Sequence, residues 1–195
     1  MVLPIYGYGE PVLRKKAEPI TSDYPGLITL IANMFETMYN AYGVGLAAPQ
    51  IGIPIRLFIV DTEPFSEGEE FSDKEKEQLK QFKKVFINAQ ITNEEGNEWP
   101  FNEGCLSIPD VREDVSRKEK ITITYQDEHF KTYTETYDGL IARVIQHEYD
   151  HIEGILFIDH ISTFRRTLIK KRLTNIMEGK IRADYKMKFA QKKGR

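Results

Sequence analysis

The 195-residue chain holds a single cysteine, Cys105. One thiol cannot close an internal disulfide, so the chain suits a reducing compartment and the thiol needs another explanation. No apolar run approaches the length of a membrane span, and Met1-Val2-Leu3-Pro4 lacks a signal-peptide pattern, which places the expected site of action in the cytoplasm. There is no internal repeat. At 41% hydrophobic residues, the chain has the material for one globular domain, expected across residues 1–195.

What is present is the run His147-Glu148-Tyr149-Asp150-His151. Two histidines four apart share one face of an α-helix, so both imidazoles can bind one ion while Glu148 stands beside it as a proton carrier. The surroundings predict such a helix. Asp138 is placed as an N-cap, residues 140–152 lack proline and glycine, and Gly154 sits where the helix would stop. Leu140, Val144, His147 and His151 form one stripe, with Ile141, Ile145, Glu148 and Ile152 beside it. The metal face is thus also an apolar face.

Two histidines leave a ligand to be found. The metzincin protease pattern is matched through Gly154 but has Phe157 where a third histidine is needed, and phenylalanine binds no metal. His160 and Glu178 are alternatives without a supporting motif. Cys105, within Glu103-Gly104-Cys105-Leu106-Ser107, has three readings. It is a small buried hydrophobe, a nucleophile served by the histidines, or a thiolate ligand. Only the last gives cysteine, histidines and glutamate a task together.

Those two segments, with Gly43-Val44-Gly45-Leu46-Ala47-Ala48-Pro49-Gln50 before them, resemble in type and order the three motifs of the bacterial peptide deformylase family. The resemblance extends from about Leu3 to Ile161. It implies a hydrolase that removes the N-formyl group from the initiator methionine of nascent polypeptides and releases formate. It also implies that Cys105, His147 and His151 bind one divalent metal, usually Fe2+, with Zn2+, Ni2+ or Co2+ able to substitute, and that a fourth position is left for water.

In that family reading, metal-bound hydroxide attacks the formyl carbonyl and Glu148 acts as general base and then general acid. The side-chain amide of Gln50 and the backbone N–H of Leu106 face the charge that develops on the formyl oxygen. Gly45 lets an extended peptide approach the backbone and pair with it. Val44, Phe101, Leu140 and Val144 are the candidates for the methionine pocket. Arg112 matches an arginine near the peptide path, its alternative being a surface ion pair. No nucleotide cofactor is expected, since the Gly43-Val44-Gly45 run does not complete a nucleotide-binding fingerprint.

Strand-like runs lie at residues 55–60, 85–91, 120–125 and 130–137, the last two joined by a turn near Asp127-Glu128. A helix carrying Leu27, Leu30, Ile31, Met34 and Met38 precedes Gly43, which is placed to end it, and another follows Ser162. The predicted class is α+β: mostly antiparallel β-sheets surrounding a central metal-binding helix, with a C-terminal helix. Residues 62–84 read as a solvated insertion, acidic at Glu67, Glu69 and Glu70, with Ser72 and Glu75 spaced as a capping box.

The net charge of −3 hides an asymmetry. Residues 164–195 carry 12 Lys or Arg against two acidic residues, or about +10, and the remainder carries about −13. Phe164, Leu168 and Leu173 are expected to pin this helix, leaving Arg165, Arg166, Lys170, Lys171 and Arg172 outside for a ribosome contact or, alternatively, a solvated frayed tail. Two other readings of the whole chain stand beside the first: a zinc endopeptidase, and a non-enzymatic ribosome-binding protein with a structural metal.

Overall fold

The computed structural model describes residues 1–69 and 71–190. Its elements run β1 (Ile5–Tyr6), α1 (Leu27–Asn40), β2 (Gly45–Ala47), β3 (Leu57–Asp61), α2 (Asp73–Gln81), β4 (Lys83–Cys105), β5 (Ile108–Gln126), β6 (Thr132–Asp138), α3 (Gly139–Glu153), α4 (Thr163–Met177) and β7 (Met187–Lys188). Five strands form one antiparallel sheet in the order β2-β3-β4-β5-β6, and β1 pairs in parallel with β7. The class is α+β, as expected.

β4 and β5 are far longer than the strand-like runs that announced them. They form a hairpin in which alternation buries Val111, Glu113, Val115 and Arg117 and exposes Arg112, Asp114 and Ser116. Charged residues on both faces hide this pattern from a count of apolar positions. Register shifts after Ile87, Ile91, Glu95 and Gly104 insert unpaired residues, which bend a strand. α3 lies against the curved sheet. Its Ala142, Val144, Ile145 and Ile152 share a buried cluster with Phe58, Phe86, Ile121 and Ile123. Phe58 and Phe86 stack with centroids 4.7 Å apart. A second cluster sets Ile31, Met34 and Met38 of α1 against Leu46, Leu57 and Ile59.

Helix ends follow the expectations only in part. Gly154 adopts the left-handed conformation that stops α3 (φ 76°). Asp138 stands at the N-cap but makes no side-chain cap bond, being held extended as the last residue of β6 opposite Lys120. At the end of α1, Tyr42 and not Gly43 takes the left-handed turn (φ 55°), with Tyr42 N–H donating to Tyr39 O and Gly43 N–H to Met38 O. These two bonds satisfy the last carbonyls.

Residues 62–82 join β3 to β4 and carry α2, while Lys83 and Lys84, counted in the expected excursion, already belong to β4. The Ser72 and Glu75 box forms in both directions. Glu70 lies outside the described residues. The segment is not wholly solvated, because Thr62, Leu79 and Phe82 are buried.

The C-terminal region differs more. α4 is pinned by Ile169, Leu173 and Ile176, while Phe164 and Leu168 are 70% and 57% exposed. The 4-3 spacing of the first three outweighs the stripe through Phe164. Arg165 and Arg166 are tied to Glu113 and Asp159, leaving Lys170, Lys171 and Arg172 as the exposed basic run. Beyond α4 the chain folds back to β1 through β7 and does not fray there; Lys192, Lys193 and Arg195 lie outside the described residues. Among the described residues no helix is long and apolar enough to cross a membrane.

Candidate active site

α3 delivers two imidazoles and the β4–β5 turn delivers the thiol. One donor atom each from Cys105, His147 and His151 lies within 4.8 Å of the others, and Cys105 Sγ is 3.3 Å from His151 Nε2. Burial opposes ionisation of Cys105, but the charge of His151 and bonds to both histidines bring the thiol down to about 5. Two nitrogens and a sulfur so gathered fit one divalent ion with a position left over. Phe157 stacks on His147, centroids 6.1 Å apart. His160 bonds to Asp150 at 2.7 Å and Glu178 pairs with Lys180, so neither joins the cluster.

Behind His147 stands Glu103. Its carboxylate takes His147 Nδ1–H at 2.9 Å, Arg117 at 2.8 and 3.0 Å, and Arg143 at 3.0 Å. The bond at Nδ1 turns Nε2 toward the cluster, the arrangement that orients metal-binding histidines. Burial disfavours the Glu103 charge, yet the bonds from His147 and Arg117 hold its carboxyl well below the usual range. Arg117 also donates to Asp150 at 2.7 Å. Arg143 donates to Val115 O and Trp99 O, and Gln146 to Lys118 O, so α3 is laced to the hairpin backbone by its own side chains.

Glu148 faces the same cavity. Burial pushes its carboxyl up to about 7 against the pull of His147 and His151. Its Oε2 is buried without a partner among the described residues. A side chain on Gly45 would meet that carboxyl, with Cβ 2.7 Å from Glu148 Cδ, so the glycine leaves room for the acid as well as for an approaching backbone. Gln50, 1% exposed, donates from Nε2 toward Cys105 Sγ at 3.5 Å and Ser107 Oγ at 3.3 Å, while its Oε1 accepts Ala47 N–H at 2.8 Å.

The cavity has a volume near 530 Å³. Val44, Phe101 and Val144 line it together with Gly45, Gln50, Cys105, Leu106, His147 and Glu148. Leu140 does not. One turn before Val144, it is buried at the foot of α3, away from the cavity wall. Arg112 lines the cavity, held by Asn102 through Nε at 2.9 Å and, among the described residues, not by an acid. Pro64 and Phe65 add a wall from the segment read as a solvated insertion.

Sequence reasoning missed Glu103, Arg117, Arg143 and Asp150 as supports and Tyr185 as a wall. Glu103 and Asp150 lay inside recognised motifs, and Arg143 is the one charge in Leu140-Ile141-Ala142-Arg143-Val144-Ile145, a usable sign of a buried ion partner. Nothing local marks Arg117 or Tyr185.

Residues 2–167 match the family model described as polypeptide deformylase. A peptide deformylase of Flavobacterium psychrophilum is 66% identical over 193 residues, covering 99% of this chain and all of that one. The peptide deformylase of Flavobacterium johnsoniae is 65% identical over the full length of both. Among solved structures, a peptide deformylase from Legionella pneumophila superposes with a TM-score of 0.77 at 36% identity, covering 92% of this chain and 98% of that one. That from Thermotoga maritima reaches 0.72 at 36% identity, over 83% and 99%. With the motifs, the fold and these likenesses in agreement, the chain belongs to the peptide deformylase family.

Proposed function

We infer that the whole chain acts as one metal-dependent peptide deformylase, hydrolysing the N-formyl group of formyl-methionyl nascent peptides to formate and a free amine. The observation that carries the site assignment is the buried Glu148 carboxyl, with Oε2 unpartnered, beside a donor set of one sulfur and two nitrogens in a partly apolar groove. Cys105, His147 and His151 would hold the ion, Fe2+ by family resemblance. When bound, it supplies Lewis acidity, which brings a water toward ionisation near neutral pH and polarises a carbonyl.

The remaining work belongs to side chains. Glu148 takes the proton of the attacking water and returns it to the departing amine, a role that its burial, which favours the protonated carboxyl, supports. Gln50 Nε2 and Leu106 N–H face the developing oxyanion. Val44, Phe101 and Val144 receive the methionine side chain, Gly45 offers its backbone to the peptide, and Arg112 stands along the peptide's path. Exposed Lys170, Lys171 and Arg172 on α4 offer the ribosome a basic face, and the enzyme works in the cytoplasm where nascent chains emerge.

The test is formate release from a formyl-Met tripeptide by anaerobically purified protein of known metal content. Turnover that scales with bound metal is expected. Fully metallated protein that released no formate would overturn the assignment.

A further inference from the structure

Tyr185 lies beyond the residues that match the family model, yet it forms part of the active-site wall. Its hydroxyl donates to Leu106 O at 2.8 Å. It is brought there by the return of the chain after α4. β7 pairs with β1, Ile5 N–H donates to Lys186 O and Gly7 N–H to Lys188 O, both at 2.8 Å. Phe189 packs so closely on Gly7 that a Cβ there would lie 2.9 Å from the ring. The segment from residue 178 to 190 is therefore a strap fastened to β1 and Gly7 immediately after Tyr185.

The turn it touches is the one that matters for chemistry. Cys105 pairs with Ile108, leaving Leu106 and Ser107 at the tip. Tyr8 N–H holds Ser107 O at 2.8 Å and Gln50 Nε2 holds Ser107 Oγ at 3.3 Å. Only Tyr185 is seen to hold the Leu106 carbonyl among the described residues. The two peptide planes that meet at the Leu106 α-carbon are the one bearing this carbonyl and the one bearing the N–H assigned above to the oxyanion. Pinning the first limits how far the second can swing, and an oxyanion donor is useful only when it is fixed before charge develops. Burial, then the nearby Cys105, raises the Tyr185 phenol, so the hydroxyl keeps the proton it donates.

We propose that Tyr185 is a positioning residue for the reaction: through the Leu106 carbonyl, the C-terminal strap sets the orientation of the oxyanion-facing N–H. The proposal rests on the role inferred above for Leu106 N–H. It distinguishes the strap from α4, whose exposed basic face is free to serve another purpose.

Tyr185→Phe keeps the ring and removes the hydroxyl. At equal metal content, kcat for a formyl-Met tripeptide should fall about three- to tenfold, the worth of one hydrogen bond, with KM unchanged. Amide hydrogen exchange across residues 103–110 should quicken more than elsewhere, with melting temperature lowered by no more than the few degrees one hydrogen bond accounts for. Wild-type kcat in the variant, or unchanged exchange, would overturn the proposal. So would a rise in KM that grows with peptide length at constant kcat, which would make Tyr185 a groove wall alone. A wild-type protein that released no formate would bring down the site reading itself, whereas an active wild type matched by Tyr185→Phe would bring down the strap alone.

Discussion

Burial gives Glu148 a carboxyl that titrates near 7 where the ordinary value is 4.5, and the shift has a cost to the fold. Because the folded chain keeps a proton that the unfolded chain releases, stability in the metal-free protein is lost as pH rises from about 4.5 through 7. Glu148→Gln removes that penalty. At pH 8 the metal-free variant should be more stable than wild type by up to about 3 kcal/mol, and the gap should vanish below pH 4.5, as melting at both pH values will show. Its formate release should fall about 10²- to 10⁴-fold. Gly45 supports the same acid by absence. Gly45→Ala should push the carboxyl aside and lower kcat at least about tenfold while circular dichroism stays native, and unchanged kcat would show that the carboxyl can shift at no cost.

Among the elements, α3 and the β4–β5 hairpin are joined through Glu103, which receives His147, Arg117 and Arg143 together. Glu103→Gln takes the carboxylate from buried Arg143 and leaves Arg117 with Asp150 alone. A loss of about 3–5 kcal/mol in denaturant unfolding is expected, with metal affinity down about 10- to 100-fold by competition titration. How much of this was legible follows from range. α3 showed itself through local spacing and Gly154, and the ligands through three short motifs. The hairpin hid because Glu103, Glu113 and Arg117 are buried by pairing with partners distant in sequence, which periodicity cannot register. Leu140 was misplaced for a related reason, since a helical stripe says which residues are covered but not by what. Tyr42 likewise took the left-handed turn beside Gly43, a residue better suited to it, because its own hydrogen bond to Tyr39 O and that of Gly43 to Met38 O set the geometry.

Across the whole molecule, carboxylates are held ionised by their partners. Glu103, Asp150, Glu153 and Asp159 all titrate lower in the fold than their ordinary values, so the stability they contribute is present above about pH 4 and is lost as pH falls. The melting temperature should drop steeply below that point. A chelator at neutral pH should stop turnover but leave a cooperative melt, since the buried clusters of α1 and of α3 form without an ion; unfolding on chelation would instead mark a structural metal. Replacing Lys170, Lys171 and Arg172 with Gln should weaken co-sedimentation with ribosomes and flatten its salt dependence while tripeptide turnover is retained, and unchanged co-sedimentation would remove α4 from that contact. The parallel pairing of β1 with β7 has a consequence in time. Ile5 meets Met187 only after everything between them has been synthesised, so the edge of β1 waits open until β7 has emerged. The turn bearing Cys105 receives Tyr185 later still than it receives His147. A chain arrested on its ribosome short of β7 therefore lacks the pairing that carries Tyr185 to the Leu106 carbonyl.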